Sequence, residues 1–144
     1  MKPRLSFALL IIVALLGGCA SGPDFSEYSP KIPPVDPQMA RIFLYRPGSF
    51  GAAIQPAIRV NGTEVGIAKA EGAFYYDVPP GEYTIETRTE VVRKLTLKLE
   101  KGDVRYVRFG VSMGFVAGHI YPELVDASVG TAEIQDCHYS GAVR

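Results

Sequence analysis

The dipeptide Asn61-Gly62 sits between two short runs that alternate apolar and polar residues, and it constrains the fold more than any other feature of the chain. Asn-Gly favours a type I′ turn, because both central residues need positive φ, and a two-residue loop of that type joins antiparallel strands. The flanking runs are Ala57-Ile58-Arg59-Val60 and Glu64-Val65-Gly66-Ile67. A two-residue loop sets Val60 opposite Thr63, Arg59 opposite Glu64 and Ile58 opposite Val65. One face of the hairpin is then apolar, and the other carries an opposite-charge pair.

The same pattern recurs from Met39 onward. Arg41 to Tyr45 reads as a first strand ended by Pro47-Gly48, with a Gly/Ala-containing loop at Ser49 to Gln55. Ala73 to Val78 reads as a strand carrying Phe74, Tyr75 and Tyr76, and Pro79-Pro80-Gly81 turns the chain. Tyr83, Ile85 and Thr87 alternate with charged or polar neighbours, as do Leu95, Leu97 and Leu99, which is the period of a half-buried strand. Lys101-Gly102-Asp103 turns into a strand at Val104 to Val111. The apolar stretch Phe115 to Val125 contains Pro122, whose missing N–H confines it to a sheet edge or a broken strand. Asp126 to Ile134 reads as a short helix capped by Asp126, although Gly130 disfavours it, and the last ten residues as a loose tail. Many short strands separated by turn signals point to a sandwich or small barrel.

The segment Val60-Asn61-Gly62, Val65-Gly66, Val78-Pro79-Pro80-Gly81-Glu82-Tyr83-Thr84-Ile85, Leu97, Gly102 and Tyr106-Val107 resembles PEGA-like domains. It is also similar to a family of bacterial lipoproteins catalogued only as a domain of unknown function. The resemblance covers Met39 to Val111. It implies an all-β chain built on a small Ig-like or transthyretin-like antiparallel β-sandwich. It brings no catalytic residues with it.

The N-terminus fits that expectation. Lys2 and Arg4 precede an apolar core from Phe7 to Leu16, and Leu16-Gly17-Gly18-Cys19 resembles the lipobox of bacterial lipoproteins. About ten helical residues reach only ~15 Å, half of a hydrocarbon layer, so the run is a signal segment and not a span. The lipobox implies cleavage between Gly18 and Cys19 and lipidation of Cys19. Ala20 follows, where lipoproteins kept in the inner membrane often carry Asp, so the resemblance points to the outer membrane. The periplasmic face is preferred to the cell surface. Residues 1–18 are then the signal peptide and 19–38 a tether, in which Pro23, Pro30, Pro33, Pro34 and Pro37 favour extended polyproline II. At ~3.1 Å per residue it would hold the domain up to about 55 Å from the lipid, unless Phe25 and Tyr28 pack along it. The sandwich occupies 39–125, and 126–144 form a C-terminal short helix or tail.

Lys plus Arg and Asp plus Glu each total 15, and nothing suggests a nucleic-acid partner. With Cys19 acylated, Cys137 has no partner in the chain; it is a buried small side chain or a thiol that pairs between chains. No cofactor is expected. Three constellations merit inspection. Gly110-Val111-Ser112-Met113-Gly114 fits the G-x-S-x-G of serine hydrolases, with Asp126 and His138 following in order, but no helical period follows Ser112. Cys137-His138 and His119 lack metal-ligand spacing, so no metal site is expected, and His119 reads as a partly buried group bonded to backbone. Lys94, Lys98 and Arg105 belong to a basic stretch. If the Lys101-Gly102 turn is a tight hairpin, Lys98 and Arg105 face each other and form an anion patch; otherwise they lie on a solvated strand face. The loop Pro47 to Ala53 and the aromatics around Tyr75 are further candidate contact surfaces.

The expected function is that of a non-catalytic structural or binding accessory of the envelope, held to the membrane through Cys19. Peptidoglycan, lipopolysaccharide or envelope proteins are its expected partners. The alternatives are an assembly subunit that pairs through a sheet edge, and a serine hydrolase using Ser112.

Overall fold

Alternation in the first strand places Ala40, Ile42 and Leu44 on one face and Arg41, Phe43 and Tyr45 on the other, and both faces are covered. The structure, a computed structural model, describes residues 22–142. Its strands are β1 (Ala40–Tyr45), β2 (Ala57–Val60), β3 (Thr63–Ile67), β4 (Gly72–Val78), β5 (Gly81–Arg88), β6 (Val92–Leu99), β7 (Val104–Ser112), β8 (His119–Val125) and β9 (His138–Tyr139). Two short helices, α1 (Phe25–Tyr28) and α2 (Ala127–Glu133), flank them. A five-stranded sheet of order β8-β7-β1-β4-β9 packs on a four-stranded sheet of order β3-β2-β5-β6. The result is the expected all-β sandwich. Most pairings are antiparallel, while β1 runs parallel to β7 and β4 parallel to β9.

The core between the sheets takes Ile42 and Leu44 from β1, Phe74 from β4, Val107 and Phe109 from β7 and Ile120 from β8. Ile58, Val60, Val65, Ile85, Leu97 and Leu99 come from the facing sheet. Burying each such side chain stabilises the fold by about 1.5–3 kcal/mol before the ordering entropy is counted. Asn61 and Gly62 have φ of 48° and 83°, as their turn requires. Val60 faces Thr63 and Arg59 faces Glu64 as expected, but Ile58 faces Gly66 rather than Val65. A bulge shifts the register there, and it sets Gly66 against the Phe74 ring, where no Cβ would fit.

Three expectations are corrected. Lys101-Gly102 does not close a hairpin: β6 pairs with β5 and β7 with β1 and β8, so the chain changes sheet at that turn. The proline-rich segment is not extended throughout: the chain is helical from Phe25 to Lys31 and extended again only from Ile32. Phe25 is buried, and Ile32 packs beside it. The last residues are not a loose tail either. After α2 the chain makes a 3-10 turn at Ile134–Asp136, buries Ile134 and Cys137, and adds β9 beside β4.

These pieces cover the outer face of the five-stranded sheet. Phe43 stacks on Tyr106 at 5.0 Å and meets Phe25 edge-on at 6.0 Å. Arg41 donates to both oxygens of Asp77, its neighbour on β4, and reaches the Pro33 carbonyl at 2.7 Å. The bond to Asp77 raises the Arg41 pKa. The Tyr45 hydroxyl donates to Glu133 at 2.6 Å, and Arg108 joins Glu133 to Glu123. The Cys137 thiol is pushed up to about 12, mainly by burial, which fits a packing role better than exchange chemistry.

Helix α2 begins where Asp126 was expected to cap it, although the Asp126 side chain makes no capping bond. Gly130 sits in its middle because Tyr106 lies directly against it. The Gly130→Ala variant should therefore lose about 1–3 kcal/mol from overpacking, despite the gain of about 1 kcal/mol that Ala brings to a helix interior. Urea denaturation checks this; an unchanged or raised midpoint contradicts the packing account.

Candidate functional site

One end of the sandwich carries most of the large apolar side chains that the fold leaves exposed. Three connections meet there: residues 46–56 after β1, 89–91 between β5 and β6, and 113–118 between β7 and β8. Phe115 and Val116 are almost wholly exposed, Met113 is 80 % exposed and Phe50 67 %. Val91 and Val92 add a partly exposed apolar border. The first and third connections touch, since Gly51 lies against Val111 and Gly118 against Ile54.

The floor of this end is Arg46, fully buried at the end of β1. Its guanidinium donates to the carbonyls of Ile54, Ala68, Phe50 and Gly51 at 2.6–2.9 Å. Burial lowers its pKa. Four carbonyls satisfy the two terminal nitrogens and leave the buried Nε without a hydrogen bond, and they fix the loop after β1 to the stretch before β4.

The tip itself is held by Glu90. Its Oε1 accepts from the Val116 N–H at 2.8 Å and the Ala117 N–H at 2.5 Å, and its Oε2 lies 2.9 Å from Nε2 of His119. His119 thus pairs with a carboxylate rather than with backbone, a correction to its sequence reading. Arg93 reaches the other ring nitrogen at 3.4 Å. The bond from His119, followed by the two backbone amides, holds the Glu90 carboxyl below its usual range. Beside the tip, Arg93, Lys94, Ser112, Tyr121 and Pro122 line an open groove of about 430 Å³.

The sequence-predicted sites fare differently. Gly18 and Cys19, with the signal segment 1–18, lie outside the described residues. Lys94 and Lys98 stand on β6 and Arg105 on β7, in different sheets, so the tight-hairpin anion patch does not form. Lys94 pairs with Glu86 at 3.4 Å, Lys98 with Glu100 at 3.7 Å and Arg105 with Asp103 at 3.2 Å. Ser112 ends β7 opposite His119. His138 is on β9 at the opposite edge of that sheet, paired with Asp24 at 3.0 Å, and Asp126 follows the far end of β8. The Ser112, Asp126 and His138 set is therefore not brought together. Of the aromatics of β4, Phe74 is core, Tyr75 lies under Arg41 and against Phe43, and Tyr75 and Tyr76 are half-buried. Among the described residues, no group of three or more His, Cys, Asp or Glu could hold a metal.

Glu90 and the exposed tip were missed by sequence reasoning. Phe115 and Val116 look like strand core by hydropathy alone, and the Glu90–His119 contact spans 29 residues.

Because the carboxylate form is the one bound, the tip contacts of Glu90 are fully present above its ordinary pKa of 4.5 and are lost as pH falls through its lower folded value. The Val116 and Ala117 amide resonances should titrate together with a midpoint below 4.5; a midpoint at or above it contradicts the contact. At neutral pH, Glu90→Gln should speed chymotryptic cleavage after Phe115, and an unchanged rate would say that Glu90 does not hold the tip.

A family of proteins of unknown function, DUF2846, matches residues 36–120. That span contains all three connections of the apolar end and stops at the start of β8. No curated protein matches the chain.

Proposed function

This chain belongs to the DUF2846 family of proteins of unknown function, and on that premise we propose that it is a lipid-anchored envelope protein. In this reading it is a non-catalytic structural or binding module, held to the outer membrane through Cys19 on the periplasmic face. Peptidoglycan, lipopolysaccharide or envelope proteins are within its reach as partners. The observation that carries the reading is the apolar end. Phe115, Val116 and Met113 project into solvent from a braced loop, and a fixed, bare apolar projection suits association rather than chemistry. The sequence Leu16-Gly17-Gly18-Cys19 behind a basic and apolar leader supplies the anchor.

The assembly-subunit alternative needs an open sheet edge. Strand β6 is such an edge, but Lys94 and Lys98 alternate along it, a pattern that discourages strand pairing. A hydrolase using Ser112 has less support, given where Asp126 and His138 stand.

Fractionation of cells making the full chain tests the anchor. The wild-type protein should sediment with outer membranes and yield an acylated N-terminal peptide by mass spectrometry, while Cys19→Ser should release most of the protein to the soluble fraction. A Cys19→Ser protein that still sediments entirely with membranes contradicts lipid anchoring.

A further inference from the structure

We propose that the tip Met113-Gly114-Phe115-Val116 inserts into the lipid surface to which Cys19 anchors the chain, so that the domain lies on the membrane instead of standing off from it. The inference rests on the anchor reading above and adds what its exposed end binds.

Three observations lead there. The first is the shape of the apolar surface. Phe115 and Val116 are almost wholly bare, and they crown a projection. A convex tip of two or three bulky side chains has no complementary wall of its own. It fits a soft apolar medium, where burial depends on depth rather than on matched contours. The loop is also kept in shape without a partner, because Glu90 satisfies the Val116 and Ala117 amides that would otherwise go bare into the interface.

The second is charge. The open groove beside the tip presents Arg93 and Lys94. Arg93 has a ring nitrogen of His119 as its neighbour rather than a carboxylate. Lys94 is paired with Glu86, and Glu90 is occupied by the tip amides and His119, so Arg93 is the cation of the groove turned to a ring nitrogen. A cation beside an apolar projection matches a surface of anionic headgroups.

The third is distance. Asp24 bridges His138, which pairs with Gly72 at the start of β4, and Gly72 in turn accepts from the Arg46 N–H. The chain therefore joins the fold level with the floor of the apolar end. Five Cα steps separate Cys19 from Asp24, a reach of at most ~19 Å. A tether of that length keeps this end of the sandwich, rather than the far one at the Lys101-Gly102 turn, nearest the lipid surface, within about 19 Å of the anchored cysteine. A single weak insertion becomes effective once acyl chains hold the domain at the surface, which is the two-signal arrangement of stable peripheral binding.

The chain contains no Trp, so one introduced Trp reports its own surroundings. The full lipidated chain carrying Phe115→Trp is reconstituted into phosphatidylethanolamine–phosphatidylglycerol vesicles, with and without brominated acyl chains. Lys101→Trp, in the turn between β6 and β7 at the other end of the sandwich, is the comparison. Both positions are exposed, so neither change disturbs the core. The proposal expects the F115W emission to move to shorter wavelength on reconstitution and to be quenched by bromine, with K101W unaffected. If the vesicles carry the protein but F115W stays unshifted, tip insertion is overturned and the anchor stands. A blue shift without bromine quenching would mean that the tip is covered by protein, a second copy or a partner, and overturns it as well. Equal quenching of both positions overturns the stated orientation. A lipidation-competent protein that fails to float with vesicles overturns the anchor and, with it, the insertion.

Discussion

Strand β1 is buried on both faces, and the rest of the structure follows from having to cover them. Its even-numbered residues face the second sheet, which closes the larger core. Its odd-numbered residues would leave an Arg, a Phe and a Tyr in water. Instead α1, α2 and the 3-10 turns form a second layer over them, with β9 extending the sheet at its edge. The two layers are held by different chemistry. Between the sheets the contacts are mostly aliphatic, joined by the Phe74 and Phe109 rings, and rely on packed area. On the outer face, rings stack around Phe43, Arg41 reaches Asp77 and the Pro33 carbonyl, and Tyr45 and Arg108 both reach Glu133 of α2. Those bonds are directional, so they select one placement for short segments that bury little area themselves.

The same strand also sets up the exposed end. Arg46 continues β1 into the interior and ties the loop after it to the stretch before β4. A buried guanidinium is costly unless its donors are satisfied, so the loop is bound to it by the same requirement that buries it. Above that floor, the connection between β7 and β8 is braced by Glu90 from the turn after β5. A rigid base with a bare apolar crown is the arrangement on which the functional reading stands.

Much of the sandwich was legible in the sequence. Asn61-Gly62 specifies its own turn, alternation marks β5 and β6, and Pro122 belongs where it is found, on an edge strand. Periodicity tells that a residue is on a strand, however, and not which sheet the strand joins. That is why alternation left open a tight hairpin at Lys101-Gly102, with Lys98 and Arg105 as neighbours, where the chain in fact crosses between sheets. The outer layer was hidden for another reason. Phe25, Ile32, Ile134 and Cys137 are isolated apolar residues in short polar or proline-rich stretches, and no repeat reveals that they share one surface. The apolar tip misled in the opposite direction, because hydropathy alone cannot distinguish Phe115 from a core residue.

The central claim is that the proline-rich segment is, from Pro23 to Ile32, part of the domain rather than a free tether. Hydrogen exchange tests it most directly. The Phe25 amide donates to the Cys137 carbonyl and the Tyr139 amide to the Pro23 carbonyl, both at 2.8 Å. If the outer layer is integral, these two amides exchange as slowly as those of β1, through the same global opening. If they exchange at the rate of an unprotected chain while β1 stays protected, the segment is a free tether and the account is wrong.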